Sequence, residues 1–486
     1  MGAVVFSHVF SSFISTTGVY TMDDTFGKDL TVGSIPRHLL NFAVPLLLAN
    51  LLTTGYSIIN MIWVGNILGK DAVGATADCF PIIFIVIGLA VGATMATSVL
   101  ISQYYGAKNY RMVEKVVNHS AAISLILSAV LTIAGILASD PLLRMMDTPA
   151  EVFPLASGYL KITLAGFTLM YMGTLITSIL RGIGDTKAPL LFMAAAVTVN
   201  AALDPLLIVG IGPFPKLGLN GAAYASIFSQ AVALALGYIY LSRKNRIVAI
   251  RPGKLTLEKD LTLLIFKIGF PSMIQQTLIS IGSAFITSYV NVFGAVAIAA
   301  FGAASRIDAL AVMPAMAVGM AVTSLTGQNL GAGKPERIKE IFQWGLMLAA
   351  AFTLLVSLLA VIIPGIILRM FVQEPEVLAI GSNYLRIVGS SYLVFALLFI
   401  SSGVINGAGQ TMITMLFSLL SLWILRVPLA AFLSRTSLGI TGIWLAIVIS
   451  FVTTAAISYA YYRTGRWKKA VLKHPPEMNM IQEIIE

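Results

Sequence analysis

Apolar residues fill this chain in runs of about twenty, such as AAISLILSAVLTIAGILA and GLMLAAAFTLLVSLLAVIIPGIIL, with short polar joints between them. A helix of that length crosses the hydrocarbon core of a bilayer. The pattern predicts twelve spans, at residues 40–65, 79–103, 117–138, 155–179, 188–210, 220–241, 263–291, 303–326, 341–366, 380–403, 410–432 and 439–462. Alternating ten-residue strand patterns are absent, so the sequence does not read as a transmembrane barrel.

Composition narrows the class. The chain is 58% apolar and 11% charged, where soluble domains average roughly a quarter charged. No soluble core hides so many apolar runs, and the expectation is an all-α membrane protein. The net charge of +10 would point to nucleic acid in a soluble chain. Here the basic residues sort by side instead. Twelve spans put both chain ends on one face, and that face collects 21 of the 31 Lys and Arg, six of them in SRKNRIVAIRPGKLTLEK after the sixth span. By the positive-inside rule that face is cytoplasmic. Both termini are expected in the cytoplasm, with the chain in the cytoplasmic (inner) membrane and no nucleic-acid partner. Cys79 has no partner for an internal disulfide. His8, His38, His119 and His474 lack metal-ligand spacing and read as loop or surface residues. The first 21 residues lack the basic segment of a signal peptide, and Met22 begins a more ordinary start.

The two halves repeat one another. SQYYGAKN (from Ser102) parallels GQNLGAGK (from Gly327), YLKI (from Tyr159) parallels YLRI (from Tyr384), and RGIGDT (from Arg181) parallels NGAGQT (from Asn406), each pair 225 residues apart. LGLNGAAYA (from Leu217) parallels LGITGIWLA (from Leu438) at 221, and Pro45 parallels Pro271. Five matches in sequence order indicate duplication. Six spans per copy give both halves the same orientation, an arrangement in which transporters hold substrate between the halves. The expected organisation is an N-terminal cytoplasmic segment (1–39), an N-lobe (40–241), a cytoplasmic linker (242–262), a C-lobe (263–462) and a cytoplasmic tail (463–486), with the lobes around a central cavity.

Asp204, in NAALDPLLIV, is the acid placed deepest in the N-lobe. Counted from Leu190, it lies about 21 Å along its span. An ionised carboxylate at such depth costs on the order of 2.5–3.5 kcal/mol or more unless it is paired or hydrated. No basic residue is near in sequence, although a distant one or a helix end could satisfy it. Asn200 is one turn earlier on the same face. Pro205 lacks an amide hydrogen and leaves the Ala201 carbonyl without its helical donor. A carboxylate, an amide oxygen and a freed carbonyl suit a small hard cation such as sodium, by extension from the oxygen-ligand rule. They suit a proton equally.

Taken together, DLTVGSIPRHLLNFAVPLLLANLL, SQYYGAKN, ILRGIGDTKAP, NAALDPLLI and LGLNGAAYAS, with the echoes QNLGAGKPE and NGAGQT, resemble the multidrug and toxic compound extrusion (MATE) transporters from end to end. The resemblance implies export of organic cations and amphipathic drugs by inward sodium or proton flow, with two lobes rocking between outward-open and inward-open states. It implies no cofactor beyond the coupling ion, small organic molecules and the bilayer as partners, a monomer, and no enzymatic activity. It also implies an N-lobe cation site of Asp204, Asn200, Ser226 and Tyr56, with sodium at Asp204 and Asn200. An acid expected on the first span is replaced by Asn60, in GYSIINMIWVG. The Asn60 amide can still offer an oxygen ligand to the site but cannot be protonated, so a two-acid proton relay is disfavoured. Sodium is slightly favoured because neutral oxygens are ligands that a proton would not require. A family branch with an acid on the seventh span is not matched, since Gln275 and Gln276 stand there.

Other polar residues admit two readings. Asp308 either pairs with Arg306 or another basic residue, or serves cation or substrate in the C-lobe. Arg426 is expected to snorkel to the interface. Thr177, Met61, Gln275 and Asp308 are candidates for the substrate cavity, and Met273 and Met316 could add soft, adaptable surface. An alternative within the same superfamily is a lipid-linked oligosaccharide flippase, which the scarcity of embedded Arg and Lys disfavours. No catalytic motif suggests a membrane enzyme.

Overall fold

The computed structural model describes residues 27–244 and 247–468. The initial 21 residues with His8, the start at Met22, and most of the tail with His474 lie outside the described residues. Ten described helices are long and apolar enough to cross a membrane, and two bent helix pairs bring the number to twelve. The first half comprises α1 (Ile35–Leu68), α2 (Lys70–Gly106), α3 (Tyr110–Met145), the bent pair α4 (Phe153–Ala165) and α5 (Phe167–Gly182), α6 (Lys187–Val209) and α7 (Leu219–Lys244). The second half repeats it with α8 (Lys259–Asn291), α9 (Ala295–Gly331), α10 (Arg337–Ile362), the bent pair α11 (Pro375–Gly389) and α12 (Tyr392–Gly407), α13 (Thr411–Leu433) and α14 (Ile440–Arg463).

The duplication extends to conformation. Gly69 (φ 80°) turns α1 into α2, and Gly294 (φ 86°), 225 positions later, turns α8 into α9. Both have the positive φ that glycine adopts without a Cβ penalty. Several helices overshoot the predicted spans. α2 starts at Lys70 rather than 79, so Asp78 lies inside the helix rather than at its edge. Spans four and ten, expected to be continuous, bend by 45° and 44°. The first break is at Gly166, where an added Cβ would lie 2.3 Å from Ile227 Cγ1. α13 contains a π-helical stretch, Leu420–Arg426.

The two halves exchange their opening segments. Ile35, Leu39, Phe42, Ala43 and Leu46 at the start of α1 belong to the core of the second half. Leu261, Ile265 and Ile268 at the start of α8 belong to the core of the first. This crossing occurs at the end of the bundle that carries the linker. His119, expected in a loop or at the surface, is instead a buried residue of α3, with Nε2 2.7 Å from Thr262 Oγ1 and Nδ1 accepting from the Glu258 amide at 3.3 Å. The linker is further tied to α3 by Arg251 and Lys254, both on Glu114.

Candidate functional site

α6 presents Asn200 and Asp204 one turn apart, and both are buried, at 2% and 0% exposure. α1 presents Tyr56 and Asn60 with the same four-residue spacing, so they too stack on one face. The Asn60 amide nitrogen donates to Asp204 Oδ2 at 3.2 Å and to the Tyr56 hydroxyl oxygen at 3.3 Å. That hydroxyl lies 3.0 Å from Ser226 Oγ on α7. A polar chain, Ser226–Tyr56–Asn60–Asp204, therefore joins three helices. α6 and α7 come close because Gly221 has no side chain, and a Cβ there would lie 2.4 Å from the Leu207 carbonyl oxygen.

The chain leaves specific atoms unsatisfied. Asp204 Oδ1, Asn200 Oδ1 and Asn200 Nδ2 are buried without a hydrogen-bond partner in the protein. No ion pair among the described residues involves Asp204. Leaving a buried polar group unpaired costs about 1–3 kcal/mol, and more when it is charged. Two oxygens on one helix face, one of them anionic, fit a small hard cation. No cluster of three His, Cys, Asp or Glu suited to a metal occurs among the described residues. Two expected details differ. Asn60 turns its nitrogen, not its oxygen, towards Asp204, because a lone carboxylate draws the donor end of an amide. Ser226 reaches Asp204 only through Tyr56 and Asn60.

A second, largely buried polar cluster lies in the second half. The Tyr384 and Tyr392 hydroxyls each donate to one carboxylate oxygen of Asp308. The tyrosines lie on either side of the α11–α12 break, so the bend lets one span address both oxygens. The expected pair with Arg306 does not form. Arg306 instead lies over the Phe371 ring at 5.6 Å; the hydrogen bonds to Asp308 come from the two tyrosines, and the basic residue near enough to attract the carboxylate is Arg426. Arg426 does not snorkel. Its Nε donates to Ser450 Oγ at 2.6 Å and its guanidinium lies 4.1 Å from the Phe451 ring centroid, because the π-helical stretch on α13 faces α14. Sequence reasoning missed both tyrosines as partners of Asp308; Tyr384 stood out only as the first residue of YLRI, the counterpart of YLKI.

The cavity candidates do not form one hydrogen-bonded cluster. Gln275 Nε2 binds the Thr414 carbonyl at 3.2 Å and Ser418 Oγ at 2.7 Å, which ties α8 to α13. Thr177 Oγ1 donates to the Gly173 carbonyl at 3.1 Å. Met61 is 61% exposed on α1.

Two six-helix halves in the same orientation, each with an acid embedded among its helices and one of those acids left with an unpartnered oxygen, are the architecture of a duplicated secondary transporter. The MatE family description matches the chain twice, over residues 45–206 and 271–432. The chain belongs to the MATE family, whose members are multi-pass membrane transporters and not enzymes. It is 33% identical to the probable multidrug resistance protein YpnP of Bacillus subtilis (strain 168), over 90% of this chain and 97% of that one. It is 28% identical to an FAD transporter of Shewanella oneidensis (strain MR-1), over 88% of this chain and 94% of that one. Among solved structures, the outward-facing conformation of a multidrug resistance MATE family transporter of the MOP superfamily superposes with a TM-score of 0.84 at 26% identity, over 90% of this chain and 98% of that one.

Proposed function

We propose that this protein exports lipophilic or cationic organic compounds from the cytoplasm in exchange for sodium, as a monomer whose two lobes, 40–241 and 263–462, rock about a central path. The observation that carries the reading is the unpartnered pair of buried oxygens, Asp204 Oδ1 and Asn200 Oδ1, at the end of a part-buried polar chain. A proton needs one acceptor, whereas sodium uses several neutral oxygens around a single charge. Sodium at Asp204 would give the site net neutrality and let α6 adjust at Pro205, where a backbone bond is already missing. The similarity to YpnP supports a drug-like cargo. Two embedded arginines are engaged within the protein. Arg181 Nη2 binds Ser178 Oγ at 2.7 Å, and Arg426 is held by Ser450 and Phe451. This favours cationic cargo over the pyrophosphate of a lipid-linked oligosaccharide. Both termini and the basic linker face the cytoplasm by the positive-inside rule.

The test is efflux of an ethidium-like cation from proteoliposomes under an imposed sodium or proton gradient. Accumulation should follow the sodium gradient. Full activity without sodium, tracking the proton gradient, would keep the site and reverse the ion. No change in resistance across a broad drug panel, despite good expression, would sink the multidrug cargo.

A further inference from the structure

At the linker end, the two halves hold one another through a pair of equivalent contacts. Gln103 Nε2, near the end of α2, donates to the Gly407 carbonyl in the second half at 2.9 Å. Gln328 Nε2, near the end of α9, donates to the Gly182 carbonyl in the first half at 3.1 Å. Donor and acceptor are each 225 residues from their counterparts. Both glutamines are fully buried. The crossing is possible because each helix has a glycine where it meets the other. A Cβ at Gly106 would lie 2.0 Å from the Gln328 carbonyl oxygen, and one at Gly331 would lie 1.9 Å from that of Gln103.

The pair is unequal in one respect. Gln328 Oε1 accepts from the Leu30 amide at 2.9 Å, but Gln103 Oε1 is buried with no partner. The segment before α1 thus completes one contact only. It is bound to the second half as well, where Asn329 donates to the Leu30 carbonyl at 3.2 Å, Lys334 to the Thr31 carbonyl at 3.1 Å, and Arg337 to the Thr31 and Gly33 carbonyls. Its other end is anchored in the first half by the Lys28 amide on the Ile183 carbonyl at 2.9 Å. The side-chain hydrogen bonds that the halves exchange among the described residues all lie in the linker half of the bundle.

We infer that Gln103 and Gln328 are the paired gate residues of the transport cycle. They close the linker end of the path, and both bonds must break for that end to open. Each is a neutral donor reaching a carbonyl at a helix end, so these two bonds themselves need no charge and no ion; Lys334 and Arg337 hold the segment before α1 beside them. An intramolecular hydrogen bond is worth only about 0.5–1.5 kcal/mol net. The gate therefore biases the equilibrium without locking it, and the unpartnered Gln103 oxygen makes the first-half contact the weaker one to release.

The experiment reads the gate without cargo or ion, so its failure and a failure of the export reading are separable. Spin labels are placed at exposed Arg111 and Glu336 beside the linker end, and at exposed Lys216 and Thr436 at the opposite end, in a Cys79→Ala background. The near-isosteric double variant Gln103→Met/Gln328→Met should shift the first pair to longer distances and the second to shorter ones. The population change should be about tenfold, and smaller in either single variant. Gln328→Glu keeps an acceptor for Leu30 and, once ionised at high pH, loses the donor to Gly182, so it should shift the pairs in the same direction as the pH is raised. Unchanged distances in folded double variant and Gln328→Glu alike would overturn the assignment. So would lengthening at the linker end without shortening at the other, which marks local fraying rather than a gate.

Discussion

Asn60 is on α1 and Asp204 on α6, 144 positions apart, yet the amide nitrogen of one stands 3.2 Å from a carboxylate oxygen of the other. The amide occupies the position at which the family resemblance leads one to expect a second acid. It provides a donor where a like charge would otherwise sit, and the site keeps one negative charge. Asp204→Asn removes that charge and should abolish coupled efflux while leaving the protein folded. An Asp204→Asn protein that still concentrates substrate in proteoliposomes would sink the site. Asn60→Asp restores two facing carboxylates, which cannot easily ionise together. Its sodium-driven efflux should become strongly pH-dependent over a range in which the wild type is flat.

Tyr56 links Asn60 to Ser226. Tyr56→Phe deletes that link without emptying the space, at a cost of about 1 kcal/mol. The sodium concentration for half-maximal efflux should rise several-fold with little change in maximal rate. Ser226→Ala, one step further from the carboxylate, should do less. Sodium titration of wild type and both variants checks the order.

Asp308 differs from Asp204 because both of its oxygens are occupied by tyrosine hydroxyls. Tyr384→Phe leaves one oxygen unpaired and should lower stability by about 1–3 kcal/mol. Asp308→Ala strands two buried hydroxyls and should cost more. Thermal unfolding in detergent, alongside sodium titration of any surviving efflux, separates the cases. A changed sodium response in stable Tyr384→Phe would give this cluster a role in coupling rather than in holding α9 to α11 and α12.

Leu257, in the linker, is 58% exposed. With Leu257→Cys in a Cys79→Ala background, a membrane-impermeant maleimide should label only permeabilised cells. Labelling of intact cells would invert the proposed orientation.

Two glycines of α9 should respond differently to one methyl group. Around Gly302 there is nothing within 4 Å of an added Cβ, whereas at Gly331 the Gln103 carbonyl oxygen is 1.9 Å away. Gly302→Ala should be near neutral. Gly331→Ala should push α2 and α9 apart, reducing stability or exposing the linker end to cytoplasmic labelling reagents.

The apolar runs and the recurrent GA and GAG motifs carried the twelve spans and the duplication, because a bilayer imposes length and composition locally. The bends at Gly166 and at Ser390–Ser391 were not legible, since they depend on how neighbouring helices approach. Asp204, Asn200 and Pro205 were legible as a cluster because helix periodicity alone puts the two polar residues on one face. The Asn60 amide orientation was not, because it depends on a helix far away in sequence. Asp308 illustrates the limit. Its partners lie 76 and 84 positions away, and the basic neighbour that the sequence offers, Arg306, turns instead to Phe371. Gln103 and Gln328 stand at matched positions within motifs that revealed the duplication, but only geometry shows each reaching the other half.

A contact from position 103 to 407, mirrored from 328 to 182, is what two identical chains would make across a two-fold axis. In a separate six-helix ancestor, one glutamine and one glycine would have supplied both contacts of an isologous dimer, and any substitution would have altered both together. Within a single chain no such obligation holds. The Leu30 amide now serves one glutamine and leaves the other's oxygen bare. The two ends of a pseudo-symmetric association can thus differ in strength, and a transporter working as proposed would draw a preferred resting pose from that inequality.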